Sequence, residues 1–132
     1  MKLTFILMIL LVQTTFSFAQ YDKNKLTGIL TEGSSKKWSV KGVNVQPPEK
    51  SVAFNINMSV LVEKDNGKGA VTSQPDKWSI TSADNIRWFM TIGKERYELI
   101  VSYAKNGTQY IKLIHGEAGG TGSFELNLYP TK

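Results

Sequence analysis

The chain has 132 residues, a formal net charge of +5 at pH 7, one histidine and no cysteine. Without cysteine it holds no disulfide, thiolate metal site or thiol nucleophile, and one histidine cannot build the usual zinc sites. The lysines and arginines are dispersed and form no basic tract, so we predict no nucleic-acid partner. We also expect no metal and no cofactor.

Residues 1–19 have the three-part layout of a signal peptide. A positively charged start is followed by an apolar run over residues 3–12, and Ser17-Phe18-Ala19 places small residues where a signal peptidase reads them. The rival interpretation is a membrane anchor, but a transmembrane helix needs ~20 apolar residues. We expect cleavage after Ala19, no stable membrane insertion, no lipid anchor, and a secreted or periplasmic single domain over residues 20–132.

One segment after this signal has a helical pattern. Leu26, Ile29 and Leu30 recur at helical spacing and Gly33 is a natural stop, so we predict a helix within residues 21–33. From residue 36 onward the apolar residues alternate with period two. A first strand is predicted over 36–45, followed by a rigid connector at residues 46–50 that contains two prolines.

The next run looks like one long strand. Phe54, Ile56, Met58, Val60 and Val62 alternate with mostly polar residues, which is typical of a half-buried antiparallel strand. Turn signals follow at Asp65-Asn66-Gly67 and at Gln74-Pro75-Asp76. Short strands are accordingly predicted over residues 69–73 and 77–82.

Tight hairpins dominate the second half. Gly93-Lys94 suits a type II′ loop, and Asn106-Gly107 is the preferred pair for a type I′ loop. The segment 116–123 is rich in glycine and predicts a flexible loop. The strands between these connections are predicted over residues 86–92, 95–104, 109–115 and 124–129.

These seven or eight strands indicate an all-β protein with a short N-terminal helix. The last five strands follow one another through short connections, so they should form an antiparallel up-and-down meander. Tight hairpins without a long crossover favour a closed barrel. A β-sandwich also fits the strand count and stays open as the alternative.

The segment Leu30–Val40, which reads Leu-Thr-Glu-Gly-Ser-Ser-Lys-Lys-Trp-Ser-Val, resembles the opening of small bacterial secreted lipocalin-like domains. In these a short helix and a Gly-Ser-Ser-Lys turn lead into a first strand with one tryptophan. The resemblance implies an up-and-down barrel and a structural role for Trp38. The chain departs from the lipocalin pattern in having no Gly two residues before Trp38 and no arginine after Arg96, so no arginine partner for that tryptophan is implied.

The sequence offers little for catalysis. His115 is the sole imidazole, and no Gly-x-Ser-x-Gly elbow supplies a nucleophile for it. Nothing in the pattern gathers two carboxylates in an enclosed site, as glycoside hydrolysis requires. We therefore predict a protein that is not an enzyme, and a small glycan or ester hydrolase is the least favoured function.

Aromatic and apolar side chains are the remaining candidates for function. On inward faces they would hold a small apolar or amphipathic ligand inside the barrel, although core packing is the commoner role of such residues. Phe89 and Ile100 lie on otherwise polar faces, where they form an interaction surface for an envelope protein or are covered by the helix. If the protein is such an interaction domain, its barrel core is filled. The candidate ligand-binding residues are Trp38, Met58, Trp88, Tyr97 and Tyr103.

Overall fold

The computed structural model describes residues 21–116 and 122–131. The predicted signal peptide and residues 117–121 of the predicted glycine-rich loop lie outside these ranges. Helix α1 is followed by eight strands. Their bounds are α1 Lys23–Thr31, β1 Ser35–Val43, β2 Glu49–Asn55, β3 Ser59–Asp65, β4 Val71–Thr81, β5 Trp88–Ile92, β6 Glu95–Tyr103, β7 Gln109–His115 and β8 Phe124–Pro130.

The eight strands form a closed up-and-down barrel. Each strand pairs antiparallel with the next one in sequence, and β1 pairs with β8 to close the sheet, with Ser39 opposite Tyr129. The predicted barrel is confirmed, and the alternative β-sandwich is wrong because all strands belong to one continuous ladder. The N-terminal helix is confirmed as well.

Helix α1 covers one end of the barrel. The Asp22 carboxylate caps it by accepting the Lys25 N–H at 2.7 Å, and it ends where Glu32 adopts a left-handed φ of 51°. Leu26 and Leu30 are 2% and 0% exposed and belong to the core. No helix in the described ranges is long and apolar enough to cross a membrane.

The predicted single strand through residues 54–62 is wrong. The chain turns back between β2 and β3, because Met58 adopts a φ of 69° and its N–H donates to the Asn55 carbonyl at 3.0 Å. The Asn57 side-chain oxygen accepts the Ser59 N–H and stabilises the turn. Ile56, expected on the apolar face, lies at this turn and is 52% exposed.

The predicted turn at Gln74-Pro75-Asp76 is also wrong. Strand β4 runs through these residues and pairs with β3 along the whole of Val71–Lys77. Proline is tolerated at a strand position whose missing N–H faces no partner. The two short strands predicted here are therefore one strand of eleven residues.

The two predicted hairpins of the second half have different outcomes. Gly93-Lys94 does join β5 to β6, and Gly93 has the positive φ that such a loop needs. At Asn106-Gly107 the type I′ prediction is wrong, because only Gly107 has a positive φ. The Gly107 N–H donates to the Ala104 carbonyl at 2.9 Å, so the left-handed glycine is the last residue of a tight turn and not one of its two central residues.

All three tryptophans anchor main-chain carbonyls near the helix. The Trp38 indole N–H donates to Leu30 at 3.0 Å and the Trp88 indole to Tyr21 at 3.1 Å, so both hold the helical segment. The Trp78 indole donates to Asn55 at 3.0 Å, at the β2–β3 turn. A buried indole N–H needs an acceptor, and the Trp38 and Trp88 bonds fasten the helical segment to the barrel.

Candidate functional site

The two ends of the barrel differ. In an up-and-down barrel alternate connections lie at the same end, so α1 shares its end with the β2–β3, β4–β5 and β6–β7 connections. The opposite end carries the remaining connections. A cavity of about 550 Å³ opens there, and we call it the mouth cavity. Its volume lies within the range of ~300–1,000 Å³ typical of small-molecule sites.

The floor of the mouth cavity is apolar. Val52, Leu113, Leu126 and Leu128 are at most 4% exposed, so the floor is continuous with the barrel core. These side chains come from strands on several sides of the barrel, because inward-facing residues alternate along every strand. The apolar floor consists of Val40, Val52, Val62, Tyr97, Leu113, Leu126 and Leu128.

The rim of the cavity carries charges of both signs. Lys64, Lys77 and Lys94 form no ion pair with any residue in the described ranges, and neither do Glu49 and Asp76. Unpaired charges at the entrance of an apolar cavity are available to a ligand's polar group. The lining therefore has the two-part character that an amphipathic ligand requires.

Tyr97 connects the floor with the rim. Burial first, and then the nearby carboxylates of Glu49 and Glu95, raise the pKa of its phenol to about 12. No residue of the described ranges forms a hydrogen bond with its hydroxyl, although Tyr97 is only 7% exposed. The phenol therefore stays protonated near neutral pH and offers a donor to a ligand in the cavity.

His115 lies beside the mouth and not merely at a strand end. Its Nε2 lies 2.7 Å from the Glu95 carboxylate, and its ring stacks on Phe124 with centroids 4.6 Å apart. The Nδ1 atom is buried without a hydrogen-bond partner in the described part of the chain. The contact with Phe124 and an edge contact with Tyr97 at 5.5 Å hold the imidazole against the barrel.

Carboxylates are more clustered than the sequence indicated. Glu49, Asp76 and Glu95 all line the mouth cavity, whereas the sequence pattern placed no two acids together. They come from three different strands that meet only when the barrel closes. By contrast, Glu63 pairs with Lys37 at 3.1 Å on the outer surface.

Of the five candidate ligand-binding residues, only Tyr97 lines the mouth cavity. Trp38 and Trp88 are buried at the helix end, and Met58 is half-buried in the β2–β3 turn. Tyr103, predicted to face the interior, is 60% exposed, and its hydroxyl lies 3.3 Å from that of Tyr21. Tyr103 does share the inward phase of β6, but it is the last residue of that strand and lies exposed at the helix end of the barrel.

Phe89 and Ile100 lie on the outer face of β5 and β6, away from β1 and β2, where α1 packs. Both are half-buried. The guanidinium groups of Arg96 and Arg87 lie 4.1 and 5.4 Å from the Phe89 ring centroid. Phe89 is therefore part of an arginine–aromatic stack and not a bare apolar patch. Among the described residues no carboxylate pairs with Arg96.

Most of the cavity-lining residues were missed at the sequence level. The alternating pattern does identify inward residues such as Val40, Val62 and Leu113. It does not say which barrel end stays open, because that depends on where α1 packs. In an up-and-down meander the connections after odd-numbered strands lie at the end opposite the start of β1. Because α1 precedes β1, counting the strands would have identified that opposite end as the open one.

No cluster of three or more potential metal ligands occurs in the described ranges. The features of the mouth cavity are its apolar floor, the Tyr97 phenol and the unpaired rim charges. No protein-family model, curated protein or solved structure matches the chain.

Proposed function

We propose that this protein is an exported, lipocalin-like, non-catalytic binding domain that holds a small apolar or amphipathic ligand in the mouth cavity. The observation that carries the proposal is the open cavity of about 550 Å³ with an apolar floor. Apolar surface that a ligand buries against this floor stabilises the complex by roughly 25 cal/mol per Å². The resemblance of residues 30–40 to lipocalin-like domains agrees with this function, and so does the barrel fold.

Dye binding tests the proposal. The fluorescence of 1-anilinonaphthalene-8-sulfonate should rise on addition of the folded protein, and a Val62→Trp variant should reduce this binding because the larger side chain fills the floor. Leu61 neighbours Val62 on β3 and is 38% exposed, so Leu61→Trp is the matched control and should bind the dye normally. No dye binding by the wild type, or equal binding by both variants, would overturn the proposal.

A second candidate function is docking of an envelope protein on the outer face of β5 and β6. The unpaired Arg96 guanidinium over the Phe89 ring favours it, because arginine and aromatic residues are enriched in interfaces. The partner would present a carboxylate to Arg96. Cross-linking to a purified envelope partner should fail with Arg96→Glu and persist with Lys105→Glu, and equal loss with both would refute this surface.

Export and the lack of catalysis are testable too. Mass spectrometry of protein exported from a bacterial host should give an N-terminus at Gln20. Ester and glycan substrates should be turned over no faster than buffer. Any turnover that is lost in Glu95→Gln or His115→Ala would contradict the non-catalytic proposal, since these two side chains form the hydrogen-bonded pair at the mouth.

A further inference from the structure

The barrel wall is incomplete on one side of the mouth. Strand β4 has eleven residues and β5 has five, and their ladder joins only Trp78–Thr81 to Phe89–Ile92. Among the described residues nothing pairs with the Val71–Asp76 stretch on the side away from β3. We call this opening the lateral gap, with Val71–Lys77 on one bank and Gly93-Lys94 on the other.

The sequence of β4 disfavours further strand pairing across the lateral gap. The Lys77 carbonyl accepts the Gly93 N–H at 2.8 Å, which closes the end of the gap next to the β4–β5 ladder. Residues two apart on a strand point their main-chain groups to the same side, so the main-chain groups of Val71, Ser73 and Pro75 face the gap, while their side chains lie on the outer face. Pro75 has no N–H to offer there, and proline at such an edge opposes the addition of a strand.

The lateral gap is continuous with the mouth cavity. Gln74, Asp76 and Lys77 from one bank and Gly93 and Lys94 from the other all line the cavity. All residues from Val71 to Lys77 are exposed, including those whose strand position points inward. The apolar floor therefore has a sideways exit to solvent in addition to the axial mouth.

The two banks carry an excess of positive charge at this exit. Lys77 and Lys94 stand on opposite banks without ion-pair partners in the described ranges. Asp76 is the single carboxylate of the two banks; its Oδ1 accepts the Lys77 main-chain N–H at 2.9 Å, and its carboxylate lies close to Gly93 at the Lys77 end of the gap. An anionic group in the gap would have one unpaired lysine on each bank.

We propose that the mouth cavity takes an elongated anionic amphiphile, with its apolar chain on the floor and its anionic end in the lateral gap between Lys77 and Lys94. This inference rests on the proposed binding function and adds the class of ligand and its orientation.

Affinity measurements with alkyl sulfates below their micelle concentration test the ligand class. Affinity should rise about fourfold per added methylene while the floor still has room, and an alkyltrimethylammonium of the same length should bind more weakly. Lys77→Gln and Lys94→Gln should each weaken alkyl sulfate binding about two- to fivefold, the range of partly exposed ion pairs. Lys68→Gln, in the β3–β4 turn, is the matched control and should change nothing.

Thiol protection tests the orientation, because the chain has no cysteine of its own. In Gln74→Cys, decyl sulfate at ten times its Kd should slow thiol modification about tenfold, since about one molecule in ten remains free. Ser73→Cys, facing away from the cavity, should react unchanged. Glu49→Cys lies on the rim outside the two banks and should be protected less than Gln74→Cys.

The outcomes separate the two proposals. If decyl sulfate and the naphthalene dye both fail to bind, the binding function itself is refuted. If they bind and compete but Gln74→Cys stays unprotected, or Lys77→Gln and Lys94→Gln bind as the wild type does, the lateral orientation is refuted while the binding function stands.

Discussion

Trp38 and Leu30 are joined by a buried hydrogen bond in which the indole N–H donates to the main-chain carbonyl at 3.0 Å. Both residues are 0% exposed, so neither group has water as a substitute partner. The bond connects the last turn of α1 with the middle of β1. It therefore couples the helical cover to the barrel wall.

Trp38→Phe should lower the free energy of unfolding by about 1–3 kcal/mol, because it leaves the Leu30 carbonyl buried without this donor and removes part of the indole volume. Urea unfolding followed by far-UV circular dichroism measures the loss. Tyr110→Phe on the outer face is the control and should stay within about 0.5 kcal/mol of the wild type. Equal stability of Trp38→Phe and wild type would contradict the coupling.

Gly93→Ala should destabilise the β5–β6 turn beyond the usual cost of a positive φ. Gly93 has a φ of 59°, and a Cβ there would collide with the Asp76 carboxylate. The left-handed conformation alone costs about 1–2 kcal/mol for alanine. Thermal unfolding should show a larger loss than for Gly67→Ala, whose φ is also positive but whose Cβ would meet nothing within 4 Å.

The double variant Gly93→Ala, Asp76→Ala isolates the collision. Removing the carboxylate should recover the part of the loss that exceeds Gly67→Ala. If the double variant is as unstable as the sum of the two single variants, crowding by Asp76 is not the cause.

Tyr97 should make the fold sensitive to alkali. Its pKa is raised to about 12 in the folded protein from an ordinary value of 10.0. The folded state then keeps a proton that the unfolded state loses, so this contribution to stability is complete below pH 10 and is lost as the pH rises towards 12. Stability measured between pH 9 and pH 12 should fall less steeply in Tyr97→Phe, and an identical slope would contradict the assignment.

Asp84 should have the opposite pH dependence. The Arg87 and Ile86 main-chain N–H groups donate to its carboxylate at 2.9 Å and hold its pKa below the ordinary value. The stabilisation is therefore present above the unfolded pKa of ~3.9 and is lost as the pH falls through the lower folded value. Carboxyl NMR titration should show the lowered pKa, and Ser82→Ala should raise it slightly, since Ser82 also donates to this carboxylate. An Asp84 midpoint at the ordinary value would refute this loop geometry.

The barrel was predictable from the sequence because its second half obeys local rules. Residues 86–129 alternate with period two, and short glycine loops such as Gly93-Lys94 fix the strand directions. The failures came where a local signal competed with tertiary pairing. Residues 54–62 keep their alternation through a tight turn, and Pro75 signals a turn locally but lies on an unpaired strand edge.

The candidate site was less predictable than the fold. Tyr97 was identified because its inward phase is visible in the sequence. The rim was not, because Glu49, Lys77 and Glu95 are distant in sequence and meet only through closure of the ladder. Trp38 and Trp88 were equally inward by pattern, and only the position of α1 shows that they lie at the covered end.

The placement of the tryptophans has an optical consequence. None of the three lines the mouth cavity, and each indole is bonded to the main chain. The intrinsic tryptophan emission spectrum of this protein should therefore change when the helical cover detaches and change little when a ligand fills the cavity. Tyrosine absorbance, through Tyr97, is the natural label-free signal of occupancy, so one molecule carries separate spectroscopic reporters for its two ends.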